Sequence, residues 1–442
     1  MHLRRFVAPA LGVALSLAAI VASPVVLGQS SAVKAPRPVS VVKPESVGFS
    51  SDALRKLDEG MQGLVDKQHL AGIVTLVARH GQVVQHKAYG VKDLAAGTPM
   101  TLDTIARIYS MTKPVTGVAM MMLYEEGKWR PSDPIAKYIP EFANLKVYAG
   151  TNEDGTPKLA PASHPPTMAE LMSHTAGFTY GLFGNTPVDK LYQADNPLGK
   201  PSLKAFIDRM AGLPLLYQPG ERWVYSVSVD IQGYLVEKLS GRPFPEFLRT
   251  RIFEPLGMPD TGFLVPREKL SRVATIYAWD RDKGALAAQP HDPGISQMPG
   301  LPQGGGGLYS TAADYLRFAQ MLLNGGELDG ASLIKPATVA MMRTNILSDQ
   351  VLQTKSGIGQ ASFSPAQGFG YDFAVVLDPV ALETPLGKGT YWWWGAAGTW
   401  FWIDPTNDVI FVGIIQRRGG VPGAANHEAI ARAAVYNALT KR

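Results

Sequence analysis

Ser110-Met111-Thr112-Lys113 places a hydroxyl and an amine three residues apart, a spacing at which side chains on one helix face meet. A serine hydroxyl becomes a useful nucleophile when a neighbouring base takes its proton, and a desolvated lysine can be that base. Spacing alone is weak, because Ser31–Lys34, Ser40–Lys43 and Ser332–Lys335 share it. Context separates them. The first two lie in a Pro-rich leader, and Lys335 runs straight into Pro336. Only Ser110 opens an apolar helical stretch, Val115–Tyr124, with Gly127 as its C-terminal glycine. Pro114 fits there, since the first helical turn needs no amide donor.

Acyl chemistry needs two further things: a group that returns a proton to the leaving atom, and donors for the oxyanion. Tyr225 lies in Gln218-Pro219-Gly220-Glu221-Arg222-Trp223-Val224-Tyr225-Ser226-Val227-Ser228, a turn leading into a helix. Beside a lysine ammonium a phenol ionises more easily; the competing reading is a half-buried packing tyrosine. Trp393-Trp394-Gly395-Ala396-Ala397-Gly398-Thr399 is read as the start of a C-terminal strand. Its small residues let a carbonyl approach the backbone, where the Ala396 amide can pair with that of Ser110 as an oxyanion hole. A β-bulge flanked by core tryptophans is the alternative. Gly304–Gly307 is either a flexible turn or a close approach to the site, and without a following Lys-Ser/Thr pair it is no phosphate loop.

Other constellations fail. No Gly-x-Ser-x-Gly elbow occurs, and His427-Glu428 lacks the second histidine of a zincin. Cysteine is absent, which excludes disulfides and thiolate metal sites. The expected chemistry uses no metal or organic cofactor. His174 is a rival general base, and His291, in a Pro/Gly-rich loop, lines a pocket entrance or is a plain surface histidine.

Around these residues the elements read clearly. Leu54, Leu57, Met61 and Leu64 recur at helical steps. Ile73–Val77 and Val83–Tyr89 flank His80-Gly81 as a hairpin, and Thr399–Ile403 and Val409–Ile415 flank residues 404–408 as another. Thr311, with Asp314 three residues on, caps an amphipathic helix, and a last helix runs from about Ala424 to Leu439. Residues 150–166 and 181–201 read as long ordered loops or lids. The fold class is α/β in the α+β sense, a sheet domain (46–107 and 300–442) split by a helical part (108–299).

Composition sets the outer limits. At 442 residues, 46% hydrophobic and 18% charged, the chain can bury a sizeable core. The net charge of +5 includes Arg4 and Arg5, and no Lys/Arg run grips a phosphate backbone, which argues against nucleic acid. Arg4-Arg5, the apolar Phe6–Val21 and the small residue of Val26-Leu27-Gly28 read as a signal peptide over 1–28, followed by a linker over 29–45. A periplasmic or secreted protein is expected, with no stable membrane insertion after cleavage.

Taken together, these boxes resemble the serine β-lactamase and penicillin-binding protein superfamily, in its class C β-lactamase-like branch, which includes the family VIII carboxylesterases. The likeness runs from about residue 45 to the C-terminus. It rests on Ser110–Lys113, the box at Tyr225, Leu171-Met172-Ser173-His174-Thr175-Ala176-Gly177, Pro255-Leu256-Gly257-Met258 and Gly306-Gly307-Leu308-Tyr309-Ser310-Thr311. The resemblance implies a β-lactamase/DD-peptidase-like antiparallel sheet flanked by helices, and a structural role for the His174 segment. Two departures matter. The tyrosine box ends in Val227 where the lactamases carry asparagine, and the third box aligns as Trp393-Trp394-Gly395 where they carry Lys-Thr-Gly. The amide reader and the carboxylate anchor are both gone, which favours a small uncharged ester over a β-lactam. The expected enzyme is a carboxylesterase acylated on Ser110, with Lys113 and Tyr225 sharing the proton traffic. A β-lactamase, a D-amino-acid peptidase or amidase, an acyltransferase and a non-turning-over β-lactam sensor are its rivals on the same scaffold.

Overall fold

Gly72–Arg79 (β1) is buried at all eight positions, the pattern of a strand covered on both faces. In the computed structural model, which describes residues 1–2, 39–354, 356–358 and 361–440, it lies inside an eight-stranded sheet. Its hairpin partner is Gln82–Asp93 (β2), joined through His80 and Gly81, both at positive φ (52° and 69°). Such a two-residue turn matches the twist of the strands it connects. Thr98–Pro99 (β3) closes that edge. The other strands come from the far end of the chain: Gln367–Phe369 (β4), Ala374–Val376 (β5), Tyr391–Trp394 (β6), Trp400–Asp404 (β7) and Val409–Ile414 (β8). The order is β4-β5-β6-β7-β8-β1-β2-β3, antiparallel throughout. The two ends of the chain meet where Val74 lies opposite Ile414.

Helices cover the sheet. Ser51–Asp66 (α1) starts at Ser50, whose hydroxyl accepts the Ala53 amide at 3.2 Å, and it buries Leu54, Leu57, Met61 and Leu64, the expected stripe. It packs on His427–Asn437, the last helix, and on β1 and β2. That helix is shorter than the sequence suggests, because Asn426 caps it, leaving Ala424 and Ala425 outside, and Ala438 is its C-cap. Thr112–Glu125 (α2) is buried along almost its whole length and packs against Ser228–Ser240 (α3). A helix apolar on every side belongs inside a protein.

The stretch 108–299 is not helical alone. Residues expected as a loop form the hairpin Lys146–Thr151 with Pro157–Pro161, turned by Asn152–Gly155. A second pair is Tyr277–Asp280 with Ala285–Ala288. Within 181–201, Thr186 opens the helix Pro187–Ala194 with a capping box. Residues 3–38, with most of the expected leader and linker, lie outside the described residues. No helix among the described residues is long and apolar enough to cross a membrane.

Candidate active site

The serine sits just ahead of α2. Tyr109–Met111 form a single tight turn, and Tyr109 takes φ 43°, a left-handed conformation that a tyrosine adopts only under constraint. The constraint is visible on both sides. Ile108 N donates to Leu308 O at 3.0 Å, Thr399 Oγ1 donates to Ile108 O at 3.2 Å, and Tyr315 OH donates to Met111 O at 2.9 Å. Ser110 is left partly exposed, whereas Lys113 is 1% exposed. The lysine Nζ donates to Ser110 Oγ at 3.1 Å and to Gly305 O at 2.7 Å. A serine hydroxyl and a buried amine are thus in hydrogen-bond contact, an arrangement that can activate a nucleophile.

Gly304–Gly307 is a close approach. A Cβ at 304 would strike Val229 O, and one at 305 would lie 2.7 Å from Asp230 Oδ2 and 2.8 Å from Tyr180 OH. Thr116 Oγ1 donates to Gly304 O at 2.8 Å, and Gly305 N donates to Asp230 Oδ1 at 2.9 Å. Asp230 was not singled out from the sequence, although a carboxylate between Val229 and Ile231 in an apolar helix is a signal. Burial pushes its carboxyl up to about 6, against the pull of Lys113 and the Gly305 amide. Tyr180 was also missed. Its ring lies 5.4 Å below the Lys113 Nζ, and desolvation together with Asp230 pushes its phenol well above the ordinary range.

Tyr225 is brought to the same place. Its ring centre is 4.6 Å from Lys113 Nζ, and Trp393 Nε1 donates to its hydroxyl at 3.3 Å. Trp223 stacks on it at 5.8 Å and 15°. The third box therefore touches the tyrosine directly, a contact with no signal in the sequence. Trp393 is fully buried and Trp394 partly so. Trp393 and Trp394 end β6, a strand not read from the sequence, and the turn from Gly395 to Thr399 leads straight into β7, the strand expected there.

In that turn Gly395 N donates to Thr399 O at 2.7 Å, and Gly398, at φ 83°, donates to Gly395 O at 2.8 Å. A Cβ on Gly395 would collide with Ile108 O and Thr399 Oγ1. Glycine lets the strand end press against the serine turn. Ala396 is exposed, and among the described residues neither its amide nor that of Ser110 donates to a backbone carbonyl. Two free donors on facing turns are the raw material of an oxyanion hole. Val227 packs in the core at 1% exposure, so it presents no polar atom and lines no open surface.

His174 stands behind the tyrosine. It is 1% exposed, at φ 59°, with its ring 5.2 Å from that of Tyr225. Nδ1 lies 3.0 Å from Ser226 Oγ, and Nε2 is buried without a partner. Burial, helped by the charge of Lys113, holds its pKa well below the usual value. Beyond Tyr225 a cleft of about 370 Å³ opens between Trp223, Phe183, Tyr217 and Ile358.

The beta-lactamase family model matches residues 57–435. Protein Rv1367c of Mycobacterium tuberculosis (strain ATCC 25618 / H37Rv) is 38% identical over 78% of this chain and 86% of its own length. Esterase EstB of Burkholderia gladioli is 32% identical over 81% of this chain and 90% of its own. The solved structure of EstCE1, described as a hydrolase with promiscuous acyltransferase activity, superposes with a TM-score of 0.72. It is 26% identical and covers 87% of this chain and 99% of its own.

Proposed function

We propose that this chain, which belongs to the beta-lactamase family and is a serine hydrolase, cleaves carboxylic esters through an acyl-enzyme on Ser110. The observation that carries this reading is Lys113 Nζ, buried and 3.1 Å from Ser110 Oγ with Tyr225 beside it. Ser110 Oγ attacks the ester carbonyl as its proton passes into the Lys113–Tyr225 pair. The amides of Ser110 and Ala396 receive the oxyanion. The proton is returned to the departing alkoxide, and the alcohol leaves. Water then attacks the acyl-enzyme with Tyr225 as base, and the acid departs with serine restored. Gly305 O and the faces of Tyr225 and Tyr180 hold the lysine head throughout.

Ester rather than lactam is favoured by what the wall lacks. The positions that the resemblance gives to the amide reader and the carboxylate anchor hold Val227 and Trp393, both apolar and buried, so neither offers a lactam's amide or carboxylate a partner. Each unpaired polar group costs roughly 1–3 kcal/mol, and two such losses lower specificity by about two to four powers of ten. EstB is an esterase by name and supports the same choice. The test is kcat/KM for p-nitrophenyl butyrate against nitrocefin. The ester is expected to lead by about a hundredfold or more; nitrocefin equal or faster would replace this reading with a β-lactamase.

A further inference from the structure

A second cleft, of about 150 Å³, opens beside the serine turn. Tyr109, one residue before Ser110, is part of its wall together with Arg107, His291, Asp292, Tyr309 and Arg418. Arg107 is rigidly placed. Its backbone pairs with Tyr309 across a short antiparallel ladder, and buried Gln416 clamps it, accepting its N–H at 3.1 Å and donating to its C=O at 3.0 Å. The guanidinium lies over the rings of Tyr109 and Tyr309, at 4.9 and 6.0 Å, and its Nε is buried without a hydrogen-bond partner. Among the described residues no ion pair joins Arg107 or Arg418 to a carboxylate. A planar fork held in place with an unused donor is suited to a carboxylate.

We propose that this cleft binds a carboxylate carried by the substrate, so that the enzyme accepts esters with an anionic end. The inference rests on the ester-cleaving reading for its assay. The cleft is close to the serine along the chain, because three residues span at most about 11 Å, which bounds the separation of the Arg107 and Ser110 Cα atoms. The charge fits a monoanion: two arginines, Arg107 and Arg418, line the cleft with one carboxylate, that of Asp292.

The experiment compares matched esters, one charged and one neutral, in the full-length protein. Mono-p-nitrophenyl adipate against p-nitrophenyl hexanoate probes the acyl half, and 4-acetoxybenzoate against phenyl acetate probes the alcohol half. The readout is the ratio of kcat/KM, charged over neutral. For at least one pair Arg107→Gln and Arg418→Ala should each lower the ratio, by about tenfold or more for Arg107, the size of a lost charge-assisted bond. Asp292→Asn should raise it. Arg418 and Asp292 are exposed, so their variants decide the matter even if Arg107→Gln does not fold. Ratios within twofold of wild type in the Arg418 and Asp292 variants, for both pairs, overturn the proposal and leave Arg107 as a packing residue. If the neutral esters are not hydrolysed at all, it is the esterase reading that fails.

Discussion

Lys113 and His174 are both basic, both 1% exposed, and both within reach of the Tyr225 ring. Their surroundings differ in kind. The lysine head has an oxygen on two sides, Ser110 Oγ and Gly305 O, and two aromatic faces besides. The imidazole sits among Trp223, Tyr225 and Phe369, with one nitrogen near Ser226 Oγ and the other facing nothing polar. A cation is tolerated in a dry site only where acceptors surround it. Lys113 has them and His174 does not, so one buried basic group touches the Ser110 hydroxyl, while burial disfavours the protonated form of the other, behind the tyrosine. Burial alone does not make a candidate base; burial with partners does.

The largest effect should come from the atom that only the lysine touches. Ser110→Ala is expected to lower ester turnover by on the order of 10⁶ while leaving the thermal midpoint near that of wild type, since the hydroxyl is partly exposed. Retention of a few per cent of activity, or fluorophosphonate labelling of another serine, would end the assignment. Next in size are Lys113→Met, which keeps the volume of the stem, and Tyr225→Phe. Each should cost roughly 10²–10⁴ in kcat, and the double variant should be little worse than either, because members of one relay are not additive. Cleanly multiplicative losses would place the two residues in separate steps and break the picture of a shared proton path.

How much of this could be read from the chain differs between the two regions. The Ser110–Lys113 pair, the stripe of α1 and the two hairpins were legible, because each is local: a spacing, a period or a turn dipeptide. Asp230 and Tyr180 were not, since their meaning lies in contacts with Gly305, 75 and 125 residues away in sequence. For the third box the strand that follows it, β7, was legible, and the strand that precedes it, β6, was not. The small residues of the box mark a turn equally well before or after a strand, and only the pairing of Trp394 with Trp400 shows that both strands are present. The hairpin at 146–161 was hidden by its prolines, although Asp154-Gly155 was a turn signal in plain view.

Gly395 sharpens the comparison from the oxyanion side. Gly395→Ala drives a Cβ into Ile108 O, a backbone atom that cannot swing away. The serine turn and the strand end must part, and the two amides with them. A loss of about 10²–10³ in kcat is expected, the size of one oxyanion donor. Gly63→Ala, on α1 with nothing within 4 Å, is the control, and it should stabilise by roughly 0.5–1 kcal/mol. A Gly395→Ala enzyme with unimpaired kcat would detach this turn from the chemistry.

The smallest effect on rate should be at His174. Asparagine tolerates its φ of 59° and offers Ser226 a polar atom, so His174→Asn should keep kcat/KM within about tenfold. The variant should differ instead in how stability depends on pH. Burial, then the charge of Lys113, lowers the folded pKa of this histidine well below 6.5. Below that pH the unfolded chain binds a proton that the folded chain refuses. The contribution is fully present above pH 6.5 and is lost as pH falls, by at most ~1.4 kcal/mol per unit. Asp230 and Asp372, whose carboxyls burial raises, act in the opposite sense, so the informative quantity is variant minus wild type. From pH 6.5 to 5, urea unfolding should show the variant losing less stability than the wild type. If kcat/KM instead falls a thousandfold, or an acid limb near pH 6.5 in the wild-type rate profile vanishes in the variant, His174 is the titrating base and the two regions exchange roles.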